Sequence, residues 1–546
     1  METRNIAPGV AVASQLDPAD LPALKAAGFA SIVCNRPDGE SPGQPPFAAI
    51  EIAARDAGLT ARYFPVVSGS LNAEQGVAFS ALLAELPKPV LAYCRTGSRS
   101  QALWKLAQSH QANGAGANPA SVAKAGLHAT AGAGGAKEYT VVIIGGGAAG
   151  IATASSLLAR EPSLDIAIID PADEHCYQPG WTLVGAGVFD LSRTIRSMES
   201  VMPGRVAWIK AAVTRIEPER RGVTLDSGAM VHYHRLVVCP GLKLDWDGIE
   251  GLRDTLGRDG VTSNYQGRLA NYTWELVRNL RGGRALFTQP AMPIKCAGAP
   301  QKAMYLSADH WLRTGALDRI SIEFCTAGAV LFGVPEYVPP LMEYVKRYRI
   351  KLNFGQNLVA VDGARRVATF RQLEPDGGTR IVDKEFDMLH VVPPQVPPDF
   401  IRNSPLADAA GWVEVDPATL KHKRYDDIFS LGDAAGTSNA KTAAAARKQA
   451  PIVAHNLLAS MRKTQGTAVY DGYGSCPLTV ERGKIVLAEF TYGGKLAPSF
   501  PSWLIDSTKP SRLAWLLKTQ VLPPLYWNGM LKGRELMAHP EMQGVR

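Results

Sequence analysis

TVVIIGGGAAGI, residues 140–151, decides the fold of most of this chain. An apolar strand runs into Gly145, Gly147 and Gly150 and leaves as a helix. The first glycine allows the tight turn, the second the close approach of a pyrophosphate, the third the packing of helix on strand. Ala148 and Ala149 fill the turn between them. Downstream, IAIID ends in Asp170, followed by Pro171, at the spacing that serves a ribose hydroxyl. Strand, glycines, helix and acid together specify a dinucleotide site; the glycines alone would not.

A second strand-to-helix junction lies far along the chain. DDIFSLGDAAG (426–436) ends its strand in Gly432 and Asp433, and NAKTAAAARKQA (439–450), with Lys441, supplies the next helix. LVVCPG (236–241) fits the strand returning toward the same site. This order resembles flavoproteins with two dinucleotide-binding domains. The resemblance implies FAD, with Asp433 on the ribityl chain and the helix dipole favouring a reduced, anionic flavin. Such proteins often carry a second glycine motif for NAD(P)H. Here the strand RALFT (284–288) leads into QPAMPIKCAGAPQK, and ISIEFCTAGAVLFG (320–333) supplies no such motif either. No NAD(P) is expected.

Cys296 stands where that phosphate loop would be. Lys295 before it and a helix start near Pro300 after it favour the thiolate. MPIKCAGAPQKAMYLS (292–307) resembles sulfide:quinone oxidoreductases of the mitochondrial type. So do YQPGWTLVGAG (177–187), SNYQ (263–266), KTAAAA (441–446), LAEFTYGG (487–494) and LPPLYWNGMLKGR (522–534). The resemblance extends over about 137–540. It implies sulfide oxidation on a cysteine pair beside FAD, electrons passed to a membrane quinone, and sulfane sulfur handed to a small acceptor. Phe490 and Tyr492 are quinone-contact candidates by resemblance. The family's second cysteine is expected after the GD of the second flavin motif, where this chain has Ala434. Another thiol then substitutes, Cys296 works alone, or the sulfur donor differs. Cys176 is a packing residue that could lie near the flavin, Cys239 and Cys325 read as core, and Cys34 and Cys476 carry no signal.

Upstream, residues 111–136 are nearly all small and read as a short helix (about 119–127) and a flexible linker. Before them, SIVCN (31–35), ARYFPV (61–66) and PVLAYC (89–94) read as strands, NAEQGVAFSALLAEL (72–86) and SRSQALWKLAQ (98–108) as helices. In YCRTGSRS a strand delivers Cys94 to a turn and a helix start. Arg95, Thr96, Gly97 and Ser98 would ring the thiol with backbone N–H groups that hold an anion. Arg99 adds a fixed guanidinium fork. Four residues separate Cys94 from Arg99, where cysteine phosphatases keep five. That spacing resembles a rhodanese loop, while CNRPDGE (34–40) and RYFPV (62–66) resemble the dual-specificity-phosphatase-like fold. Together they resemble a small family of phosphatase-fold sulfurtransferases. A phosphatase also needs a general acid. VSGSLN (67–72) offers no Asp, and Asp38 lies on a different loop.

Residues 503–534 interleave Trp503, Leu513, Trp515, Leu516, Trp527 and Met530 with Lys509, Arg512, Lys518, Lys532 and Arg534. Pro523-Pro524 is expected to split two short helices of an interfacial membrane anchor. The 546 residues carry 58 basic and 50 acidic side chains, a net +8 that does not argue for nucleic acid. Seven scattered cysteines, an odd number, exclude a disulfide framework and offer no metal site.

The expected architecture is α/β. It comprises a phosphatase-like domain (1–130), a linker (131–137), a flavoprotein region with two Rossmann-like domains (138–500, the second at about 250–390) and an amphipathic C-terminus (501–546). The expected function is FAD-dependent oxidation of sulfide or a related sulfane donor at Cys296, with electrons passed to quinone. Sulfur would then pass through a Cys94 persulfide to a thiol or sulfite. The alternatives are a cysteine phosphatase fused to an NAD(P)H-fed quinone reductase, and a sulfur sensor or scaffold that turns over poorly. No signal peptide or 18-residue apolar run is visible, so a cytoplasmic protein peripheral on the inner face of a bacterial cell membrane is expected, with homo-oligomers possible.

Overall fold

A computed structural model describes residues 3–38, 40, 44–66, 73–113 and 137–543. The expected helix at 119–127, the linker and VSGSLN lie outside the described residues. The chain divides into two compact units, Met1–Ala125 and Gly126–Arg546.

The first unit is a five-stranded sheet ordered Thr3–Ala7, Val10–Ala13, Val90–Tyr93, Ser31–Cys34, Thr60–Tyr63. All its pairings are parallel except the opening hairpin. Leu21–Ala26 and Phe47–Asp56 cover one face, where Leu24, Phe47 and Ile50 meet Ile32 and Tyr93. Ala73–Glu85 and Ser98–Asn113 cover the other, where Phe79, Leu83 and Leu103 meet Val33 and Ala92. The three central strands are short apolar runs because both their faces are buried.

In the second unit, Val206–Ile209, Ile166–Ile169, Lys137–Ile144, Met230–Val238 and Ile428–Ser430 run parallel, extended by the antiparallel Gly222–Leu225 and Val213–Glu217. A second parallel sheet is ordered Val261–Thr262, Met388–His390, Gly283–Gln289, Ile320–Thr326, Lys351–Phe354. The strand expected across 320–333 therefore stops at Thr326. A hairpin, Gly474–Glu481 with Lys484–Phe490, lies against the helix Ala299–Arg313.

The C-terminus departs from expectation. Pro523 and Pro524 do not split two helices. They stand in the first turn of Leu522–Asn528, where a missing N–H costs nothing. That helix continues from Arg512–Leu516 through a π-turn, Leu517–Val521. Tyr526, Trp527, Met530 and Leu531 belong to the core of the first Rossmann-like sheet. Lys518 is buried rather than exposed. The apolar surface that remains includes Trp503 (83% exposed), Leu504, Leu513, Leu516 and Val521. Among the described residues no helix is long and apolar enough to cross a membrane.

Candidate active site

The glycine loop takes the geometry that its sequence requires. Gly145 has φ 106°, and Gly147 caps the helix Ala148–Arg160. A Cβ on Gly150 would lie 1.9 Å from the Gly145 carbonyl oxygen, so only glycine lets helix and strand approach there. A Cβ on Gly147 would meet nothing within 4 Å, which leaves the helix N-terminus open to a phosphate. The Asp170 carboxylate accepts the Gly146 N–H (2.6 Å) and the Ala172 N–H (2.8 Å), and Pro171 beside it is exposed.

Gly432 and Asp433 follow the Ile428–Ser430 strand, and Ala434 is buried. Lys441 donates to the carbonyls of Asp433 (2.9 Å) and Ala435 (2.8 Å), and burial lowers its pKa to about 8. Burial also pushes the Asp433 carboxyl up, against the pull of Lys295 and Lys441. Gln395, whose Oε1 accepts the Lys295 N–H, keeps its Nε2 buried and unpartnered, as do both side-chain polar atoms of Asn264. An open glycine cradle, the Asp170 carboxylate beside it and the unpartnered amide groups fit a flavin nucleotide.

Cys296 lies in the loop between Gly283–Gln289 and Ala299–Arg313, at φ 50°, a left-handed conformation that non-glycine residues adopt at some cost. Its N–H donates to the Lys441 carbonyl (2.8 Å), and the Tyr265 hydroxyl donates to the carbonyls of Lys295 and Cys296. The chain is thus tied on both sides of the thiol.

The second thiol is Cys476, on the Gly474–Glu481 strand, its Sγ 3.9 Å from that of Cys296. Ala434 is no obstacle, because the partner comes from the C-terminal hairpin. The sequence reading found no signal at Cys476, because nothing in the spacing of GSCPLTVE (474–481) ties it to Cys296. A Cβ on Gly298 would lie 2.8 Å from Cys476 Sγ and 2.4 Å from Leu478 Cδ2, so glycine there is what lets the hairpin close on the loop.

Lys302 Nζ donates to Cys296 Sγ at 3.1 Å. The hydrogen bond from Cys476, with Lys302 and Lys518 nearby, holds Cys296 well below the ordinary thiol value despite burial. The same hydrogen bond, with burial, raises Cys476. The two shifts run in opposite directions, favouring the thiolate at Cys296 over Cys476. Burial and then Lys302 push Lys518 down to about 7. Phe490 packs edge-on to Phe332 (6.1 Å between centroids) beside this cluster. Tyr492 sits elsewhere, donating to the Pro417 carbonyl and packing on the first sheet's core, so the two aromatics are not brought together. Cys239 and Cys325 are core, and Cys176 packs near Trp181. Among the described residues no three His, Cys, Asp or Glu side chains cluster as metal ligands would.

In the first unit Cys94 is buried, and its N–H donates to the Ala13 carbonyl (3.4 Å). Arg95 and Thr96 lead to Gly97 at φ 82°, and Ser98 and Arg99 open the Ser98–Asn113 helix. Arg99 donates to the Val66 carbonyl (2.7 Å) and to Glu40 (2.6 Å). Asp38 accepts the Phe47 N–H at the start of its helix (2.8 Å).

Both units resemble known proteins. Residues 2–111 match the phosphatase-like domain of beta-lactamase hydrolase-like proteins, and residues 139–283 match the pyridine nucleotide-disulphide oxidoreductase family. The mitochondrial sulfide:quinone oxidoreductase of Mus musculus is 39% identical over 396 residues, 72% of this chain and 87% of that protein. That of Dictyostelium discoideum is 42% identical over 397 residues, 72% and 86%. The solved sulfide:quinone oxidoreductase of Aquifex aeolicus superposes with a TM-score of 0.62 at 19% identity, covering 75% of this chain and 98% of that one. The expected place on the inner face of a bacterial cell membrane is corrected by these relatives, of which the mouse and Dictyostelium proteins are mitochondrial. At this identity and coverage the chain belongs to the sulfide:quinone oxidoreductase family, as a flavin-dependent oxidoreductase with a phosphatase-like, rhodanese-like domain joined ahead of it.

Proposed function

We propose that this chain oxidises sulfide at the Cys296–Cys476 pair, passes the electrons to a quinone, and sends the sulfane sulfur through Cys94 to a thiol or sulfite. The observation that carries the reading is the 3.9 Å separation of the two sulfurs, with Lys302 on Cys296. Starting from the disulfide of the pair, hydrosulfide attacks Cys476 Sγ. The new S–S bond forms as the Cys296–Cys476 bond breaks, and the electron pair leaves on Cys296, the better leaving group because its thiolate is favoured. Lys302 holds that charge. An acceptor thiolate then takes the outer sulfur, leaving Cys476 reduced. FAD, held by Gly145, Gly147, Gly150, Asp170 and Asp433, would supply the acceptor for the two electrons of the dithiol. No NAD(P) is required. The exposed Trp503, Leu513 and Leu516 suit a membrane surface, where a quinone resides.

The phosphatase alternative is weakened because Asp38 is committed to a backbone N–H. The sensor reading rested on a missing second cysteine, and Cys476 removes that ground. Anaerobic titration with sulfide is the test. Flavin absorbance should bleach and return on adding a soluble quinone, with at least a hundredfold loss of rate in Cys296→Ala and in Cys476→Ala. Bleaching that survives Cys476→Ala would sink the two-thiol mechanism.

A further inference from the structure

The C-terminal segment is fastened to the dinucleotide loop. His175, on the short strand Glu174–Cys176, is 2% exposed. Its Nδ1 lies 3.0 Å from the Gly146 carbonyl oxygen and its Nε2 2.6 Å from the Tyr526 hydroxyl. Tyr526, on the Leu522–Asn528 helix, is itself buried. We propose that His175 is a positioning residue, set by Tyr526, that aims the glycine loop at the flavin pyrophosphate, so that the C-terminal helix completes the dinucleotide site. The proposal rests on the reading of that loop as the flavin's site.

A carbonyl oxygen only accepts, so Nδ1 carries the ring proton and donates to Gly146. Nε2 is then bare and accepts from the Tyr526 hydroxyl. Burial lowers the pKa of the ring to about 4 and keeps it neutral, so each nitrogen has a single role. The Gly146 carbonyl and the Gly147 N–H belong to one planar trans peptide and point in opposite directions. Holding the carbonyl toward His175 therefore turns the Gly147 N–H away from it. On its other side Gly146 is held through its own N–H by Asp170 at 2.6 Å. Gly147 caps the Ala148–Arg160 helix, and a Cβ there would meet nothing within 4 Å. A phosphate at such a helix start is met by backbone N–H groups, whose direction sets how tightly it is held.

The C-terminal segment is tied down along the same helix. Ser155 Oγ donates to the Leu531 carbonyl (2.8 Å), Ser156 Oγ to Glu535 Oε1 (2.6 Å) and Arg160 to Glu535 Oε2 (2.9 Å). A Cβ on Gly533 would lie 2.6 Å from the Ser155 carbonyl oxygen, so glycine there lets the segment lie against the helix. Loop, helix and C-terminal segment are joined at both ends of Ala148–Arg160.

FAD titration of the full-length chain, freed of flavin and read by quenching of FAD fluorescence, tests this. Asparagine puts an N–H where histidine has Nδ1, and glutamine puts one where it has Nε2. His175→Gln should raise the half-saturating FAD concentration about tenfold, as one hydrogen bond lost from a buried carbonyl requires. His175→Asn should stay within about twofold of the parent. Tyr526→Phe lets the ring proton move to Nε2 and should raise the value about threefold. A merely structural role would lower the melting point of the flavin-free chain and leave FAD affinity where it was, and that outcome overturns the proposal. Equal weakening in His175→Asn and His175→Gln overturns it too. If His175→Gln loses the fold, unchanged affinity in Tyr526→Phe overturns it instead. A parent chain that binds no FAD would defeat the reading of the glycine loop, whereas the variants judge His175.

Discussion

Lys302 is the side chain on which the reactivity of Cys296 most depends. It is buried, it donates to the sulfur, and the neighbouring thiolate keeps it protonated. Lys302→Met removes a charge-assisted hydrogen bond of about 1.5–3 kcal/mol. The pH curve for alkylation of Cys296 should move to higher pH, and the rate at neutral pH should fall at least roughly tenfold. An unmoved curve would mean that Cys476 alone sets the acidity. At this scale the sequence was half legible. Cys296 stood out because a cysteine between lysine and a helix start has a chemical reading. Cys476 did not, because its partner lies 180 residues away and only the closure of a hairpin brings it near.

Among the elements, the C-terminal helix Leu522–Asn528 reaches into the cofactor side of the fold. The Tyr526 hydroxyl meets His175 Nε2 at 2.6 Å, and His175 Nδ1 meets the Gly146 carbonyl at 3.0 Å. Burial lowers His175 to about 4, and His390 in the second sheet to about 4 as well. An exposed histidine titrates near 6.5. Both are therefore neutral when folded at neutral pH, while the unfolded chain binds the extra protons below about 6.5. Stability should fall as pH drops from about 6.5 to about 4, by up to about 3 kcal/mol for each group. Thermal melts across that range check it, and His175→Gln should flatten part of the slope. The places of several strands and helices could be read from apolar runs. The π-turn and the burial of Lys518 could not, since an interleaved basic residue in an apolar stretch reads as surface unless its partner cavity is known.

For the whole molecule, the order of parts was readable because each carries a short motif with strict backbone demands: YCRTGSRS, the glycine loop, and the GD junction. The apolar exterior was less so. Trp527 and Leu531 look like anchor residues in sequence yet fill the core, because a short C-terminal helix buries one side as any amphipathic helix does. What remains outside includes Trp503, Leu504, Leu513, Leu516 and Val521, in the same stretch of chain as Lys509 and Arg512. Flotation with anionic phospholipid vesicles should carry the chain upward, and Trp503→Ser with Leu516→Ser should reduce the bound fraction at least about fivefold, two large apolar side chains being worth about 1.5–3 kcal/mol each when fully buried. Undiminished flotation would place the membrane contact elsewhere.

The left-handed backbone at Cys296 carries an evolutionary corollary. Glycine would sit there without penalty, and the thiol holds its place against a preference of about 1–2 kcal/mol. Set against that relief is Lys302, which a glycine at 296 would leave buried without its sulfur partner, so selection for thermostability alone would not remove the cysteine. A Cys296→Gly chain should therefore fail to bleach and melt no higher than its parent, and Lys302→Met added to it should recover part of the lost stability.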